Sequence, residues 1–111
     1  MSVTPEGIKR GDSDAVQIKP FAEGGFLISG ALTFETVPSV WRTSSTLLSG
    51  GGDITFDLQG ISHVDSAGLA LLIEWMRNAR AQEKRITFKN IPPQMLAIAT
   101  ISGVEHILPM A

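Results

Sequence analysis

Apolar and polar residues alternate from Ala15 to Phe21: Ala15, Gln17 and Lys19 are set against Val16, Ile18 and, after Pro20, Phe21. A period of two is the mark of a half-buried strand. Glu23-Gly24-Gly25 is a turn signal, Phe26-Leu27-Ile28 starts a second strand, and Gly30-Ala31-Leu32-Thr33 closes it. Together they predict a β-hairpin. Pro20 has no N–H for a sheet ladder, which predicts an edge or a strand end there.

The period then changes. From Thr36 to Leu48 the apolar residues Val37, Val40, Trp41, Leu47 and Leu48 follow a helical spacing. Pro38 suits the first turn and Thr36 is the expected N-cap. Ser39 and the run Thr43-Ser44-Ser45-Thr46 weaken that helix, and Gly50-Gly51-Gly52 ends it in an expected flexible loop. No Gly-Lys-Ser/Thr follows the glycines, so they do not form a phosphate loop. Ile54, Phe56 and Leu58 alternate with Thr55 and Asp57 and predict a central strand. Arg85-Ile86-Thr87-Phe88-Lys89 predicts another. After Asn90-Ile91-Pro92-Pro93 a helix is expected from about Pro93, with Met95, Leu96, Ile98, Ala99 and Ile101 apolar and Gly103 as its stop. Val104, Ile107 and Leu108 form a short apolar end, a helical turn or a strand.

The chain is organised around the stretch from Gly60 to Gln82. It contains a sharp turn at Asp65-Ser66-Ala67-Gly68 and then a long helix, with Ser66 where the turn becomes the helix. With about 100° per residue, Gly68, Leu69, Leu72, Trp75, Met76 and Ala79 share the side expected to face a sheet. Ser66, Ala70, Ile73, Glu74, Arg77 and Arg80 lie opposite. That side reads as a solvated face with a stray apolar residue, or as a docking stripe of Ser66, Ala70, Ile73, Glu74 and Arg77. Asp65 or Ser66 can cap the helix through its free N–H groups. A hydroxyl at a helix N-terminus is also well placed to carry phosphate. Gly68 lets another backbone approach closely.

The element order is β-β-α-β-α-β-α. It implies an α/β fold with a mixed, mostly parallel sheet in one domain over residues 15–111, preceded by a flexible tail, 1–14.

Composition narrows the function. The 111 residues carry a net charge of −2, which predicts no broad attraction to nucleic acid or anionic lipid. There is no cysteine, so disulfides, thiol catalysis and thiolate metal sites are excluded. The longest apolar run, Leu69 to Ile73, is far too short to cross a bilayer. Met1 to Gly7 lacks the apolar run of a signal peptide. His63 and His106 are the two histidines, and neither sits in a ligand cluster. Asp57 and Asp65 flank one strand-turn unit, but paired-carboxylate chemistry requires them to face each other. Arg77, Arg80, Lys84 and Arg85 are expected to complement the long helix's C-terminus. No catalytic group, metal or cofactor is expected.

Asp57-Leu58-x-x-Ile61-x-x-Val64-Asp65-Ser66-Ala67-Gly68-Leu69 resembles the STAS domain of bacterial anti-sigma-factor antagonists, in the same element order over about residues 15–108. In phosphorylated members the target hydroxyl follows the Asp, which corresponds to Ser66. Leu32-Thr33-Phe34-Glu35-Thr36-Val37, with Val64-Asp65-Ser66-Ala67-Gly68-Leu69-Ala70-Leu71-Leu72-Ile73-Glu74-Trp75, looks like the MlaB-type STAS subunit of Gram-negative phospholipid transporters. That resemblance implies a STAS-like single domain that is not an enzyme. It implies a cytoplasmic protein, peripheral to the inner membrane through the ABC-transporter ATPase subunit it binds, with a role in outer-membrane lipid asymmetry. The expected partner-binding residues are Asp65, Ser66, Ala70, Ile73, Glu74 and Arg77. The alternative is an anti-sigma-factor antagonist regulated by phosphorylation of Ser66, with an anti-sigma kinase as partner. Members of that pathway usually carry an acidic residue after the Gly, as Gly-Glu-Leu-Asp, whereas this chain has Gly30-Ala31-Leu32-Thr33.

Overall fold

A computed structural model describes residues 15–21, 24–50 and 52–110. The expected tail 1–14, Glu23 of the hairpin turn and Gly51 of the glycine run lie outside the described residues. Strands β1 (Gln17–Phe21) and β2 (Gly25–Leu32) form the antiparallel hairpin, with Gln17 opposite Ser29 and Phe21 opposite Gly25. Helix α1 (Val37–Leu48) crosses to β3 (Ile54–Val64), which runs parallel to β2. Helix α2 (Ser66–Ala81) crosses to β4 (Ile86–Lys89), parallel to β3, and α3 (Pro93–Ile101) follows. The strand order is β1-β2-β3-β4, so Pro20 does sit on an edge strand. Helix α2 packs on β3 and β4 and touches α1 on one side and α3 on the other.

The core is built from the inward positions of the strands. Phe26, Phe56 and Phe88 are register partners across β2, β3 and β4. Trp75 of α2 stacks on Phe56 at 4.2 Å between ring centroids. Burying large side chains of this kind stabilises by about 1.5–3 kcal/mol each, so this aromatic row anchors α2 to the sheet.

Strand β3 is longer than its apolar pattern. Ile54, Phe56 and Leu58 are buried, as alternation requires, but the strand continues to Val64. Its last residues pair with β2, from Ser29–Gly60 to Leu32–Val64, while β4 pairs only Ile54 to Asp57. That overhang carries the chain beyond the body of the sheet and starts α2 at its tip.

Some local chemistry differs from expectation. Thr36 is the N-cap residue of α1, but its side chain does not cap the helix. Its hydroxyl donates to the Ala31 carbonyl at 2.6 Å and accepts from the Thr33 N–H at 3.0 Å, tying the end of β2 to the start of α1. The Lys84 ammonium donates to the carbonyls of Leu48 and Gly50, so its charge closes the C-terminus of α1, while its backbone N–H donates to the Ala79 carbonyl at 2.8 Å and closes that of α2. The end of α3 is as expected. Gly103, at φ 76°, donates to Thr100, and Val104 donates to Ala99, which closes the helix in a Schellman motif. The apolar end uses both of its options: a 3-10 turn at Glu105–Ile107, then a parallel bridge from Met110 to Phe88. Ile101 is 88% exposed, whereas Met95 and Ala99 are the buried residues of that short helix.

Candidate functional site

Asp65 organises the tip of the β3 overhang. It is extended and precedes the first residue of α2, which makes it the N-cap. Its Oδ1 accepts from the Ala67 N–H at 2.8 Å, and its carbonyl accepts from the Gly68 N–H at 3.0 Å. A side-chain cap of this kind stabilises by about 1 kcal/mol. The other carboxylate oxygen, Oδ2, accepts from the Phe34 N–H at 3.1 Å. One carboxylate thus holds the start of α2 and the turn between β2 and α1.

Asp65 does the capping, and Ser66 does not. It is exposed, and its hydroxyl makes no hydrogen bond to the described residues. Gly68 explains the close fit just behind it: a Cβ there would lie 2.8 Å from the Leu32 carbonyl oxygen. Any side chain would push the helix off β2, so the approach that presents Ser66 requires glycine.

The six expected partner-binding residues do not all share one environment. Ser66, Ala70, Glu74 and Arg77 form an exposed row along α2. Arg77 and Glu74 pair at 3.1 Å on the surface, an interaction worth at most about 1 kcal/mol. Asp65 is half-buried by its capping role. Ile73 is half-buried against the core, so it forms the border of the row and not its centre. Met76 is half-buried against the core on the expected inner side, and Leu71, which the wheel assigned to neither side, is buried. A single-face wheel assumes one wall. Here α1 provides a second, and Leu71 lies with Val37 and Trp41 in the groove between α1 and α2.

Sequence reasoning missed Phe34. It is 73% exposed, on the turn held by Asp65. It lines a cleft of about 280 Å³ with Thr33, His63 and Asp65. The signal available was an aromatic residue inside an otherwise polar strand-to-helix turn.

The two aspartates have separate jobs. Asp57 accepts from the Asn90 side chain at 3.0 Å and from the Gln59 N–H at 2.9 Å. The Asn90 bond is the main reason its carboxyl titrates below the usual value of 3.8. Asp57 therefore closes the β3–β4 end while Asp65 closes the overhang. Among the described residues no group of three or more His, Cys, Asp or Glu is arranged to hold a metal ion. Nor is any helix among them long and apolar enough to cross a membrane.

Comparison with known families decides the identity of this arrangement: the family described as "Mlab, STAS domain" matches residues 19–109. The chain belongs to that STAS family. A curated relative, the intermembrane phospholipid transport system binding protein MlaB of Haemophilus influenzae, is 27% identical over 80 residues, spanning 68% of this chain and 76% of that protein. The STAS fold is also that of the anti-sigma factor antagonist SpoIIAA in its unphosphorylated form, at 23% identity and a TM-score of 0.68 over 87% of this chain and 88% of that one. The phosphorylated form of the Bacillus protein gives 24% identity and a TM-score of 0.65 over 87% and 91%. In this STAS domain the turn Asp65-Ser66-Ala67-Gly68 therefore sits at the tip of an overhanging strand, with its hydroxyl facing outward.

Proposed function

We propose that this chain is the non-catalytic STAS subunit of an inner-membrane ABC transporter for phospholipids, and that it binds and supports the transporter's ATPase subunit. The family match over residues 19–109 carries the reading. The name of the Haemophilus relative, a phospholipid transport system binding protein, supplies the type of assembly. The docking surface in this reading is the outer row of α2: Ser66, Ala70, Glu74 and Arg77, bordered by Ile73 and held in place by Asp65. The protein then acts in the cytoplasm, held at the inner membrane through its partner, and has no turnover of its own. Its contribution is to outer-membrane lipid asymmetry.

A second reading draws on Ser66 itself. An exposed hydroxyl at a helix N-terminus suits a phosphoryl group, and the fold is that of SpoIIAA. An anti-sigma kinase would then be the partner. The test uses the purified chain with the ABC ATPase subunit from the same organism, analysed by gel filtration and ATP hydrolysis. Co-elution with raised hydrolysis supports the transporter reading. Binding to an anti-sigma kinase instead, with phosphate transfer to Ser66, supports the second, and binding to neither contradicts both.

A further inference from the structure

We infer that the partner contact extends from α2 onto the β2–α1 turn, where Phe34 is its anchor and Glu35 its charged rim. This inference rests on the transporter reading and names the chemistry of the ATPase surface that meets this site. That surface is an apolar pocket sized for a phenyl ring, with a lysine or arginine at its edge.

The first ground is exposure. Phe34 is 73% exposed, next to the docking row and not scattered elsewhere on the surface. The second is rigidity. The turn is fixed on both sides of the ring: the Phe34 N–H donates to Asp65, and the Glu35 N–H donates to the Thr33 hydroxyl at 3.3 Å. The Thr36 and Val37 N–H groups both donate to the Thr33 carbonyl, at 3.0 and 2.8 Å. None of these bonds buries the ring. They fix the backbone that carries the ring beside Asp65, the residue before Ser66, and a backbone ordered in advance lowers the entropy lost on binding. Aromatic residues, Phe among them, are enriched at the core of protein interfaces relative to the rest of the surface.

The third ground is charge. Glu35 is exposed and makes no ion pair among the described residues. The carboxylate of Asp65 is spent on two backbone N–H groups. Glu35 is therefore the carboxylate available beside the ring, and a cation on the partner complements it. Such rim charges act chiefly on association rate and on salt dependence.

The experiment measures the affinity of the purified ATPase subunit for the parent chain, Phe34→Ala, Glu35→Lys and Ser66→Glu, with a melting curve for each free protein. Phe34 is exposed, so Phe34→Ala is expected to melt with the parent. It is expected to bind at least tenfold more weakly, and Glu35→Lys several-fold more weakly with slower association. If Ser66→Glu loses binding while Phe34→Ala stays within twofold of the parent, the inference is overturned and the transporter reading stands. If the parent chain does not bind the ATPase, both fall. If Phe34→Ala instead dissociates a self-associated form of the free chain and leaves ATPase affinity unchanged, the ring serves a second copy and the inference is overturned.

Discussion

The indole N–H of Trp75 donates to the hydroxyl of Ser44 at 2.7 Å, joining α2 to α1 inside the core. Both residues are fully buried. The Ser44 hydroxyl in turn donates to the Trp41 carbonyl at 3.1 Å, so each buried polar group has a partner. With Trp75 stacked on Phe56, this bond fixes both the position and the rotation of α2, and with them the face that carries Ser66.

Ser44→Ala removes the acceptor and leaves the indole N–H unpaired in the core. A loss of about 1–3 kcal/mol is expected. Urea unfolding followed by tryptophan fluorescence measures it. A variant as stable as the parent would show that the bond does not hold α1 to α2.

Asp57 predicts an acid dependence. Its folded pKa lies below the usual 3.8, chiefly through the Asn90 hydrogen bond. A depressed carboxylate pKa stabilises the fold in full above the unfolded value, and the effect is lost as the pH falls through the folded one. Asp57→Ala is therefore less stable than the parent at neutral pH, and the gap narrows below about pH 3.8. Unfolding titrations of both proteins across that range test this. A gap that does not change with pH would contradict it.

Ala70 and Ile73 separate docking from folding. Ala70 is exposed in the middle of the row, whereas Ile73 packs against the core. Ala70→Arg is expected to weaken ATPase binding at least tenfold with an unchanged melting temperature. Ile73→Asp places a charge in a half-buried site and is expected to lower the melting temperature. Calorimetry and binding measured on the same samples distinguish them. A stable Ile73→Asp that loses binding would move Ile73 into the contact itself.

The order of elements was legible because its signals are local. Alternation marks Ile54 to Leu58, Pro92-Pro93 starts α3, and Gly103 ends it. Asp65 and Ser66 stood out for the same reason, since N-cap chemistry is written in adjacent residues. What was not legible depends on contacts distant in sequence. Gln59 to His63 have no burial pattern because β4 ends at Lys89 and leaves them outside the sheet's body. Leu71 is buried by α1, Ser44 matters because Trp75 reaches it across 31 positions, and Thr36 bonds back to β2. Phe34 became visible only when Asp65, also 31 positions away, tied its backbone to the start of α2.

The central claim is that Ser66 lies inside the ATPase contact. Ser66→Glu tests it, because a carboxylate at the first residue of α2 suits the helix dipole and leaves the free domain folded. In the complex the same charge has to be desolvated against a surface shaped for a small hydroxyl. Loss of a good central contact costs about 2 kcal/mol or more, which is roughly thirtyfold in affinity. Ser66→Ala, which removes only the hydroxyl, is expected to be milder. The decisive measurement is the dissociation constant of Ser66→Glu for the ATPase subunit, with the melting curve of the free protein alongside. The expected result is affinity reduced thirtyfold or more, lowered ATP hydrolysis by the complex and an unchanged melting curve. Parent-like affinity and hydrolysis in the glutamate variant would place the interface elsewhere on the domain.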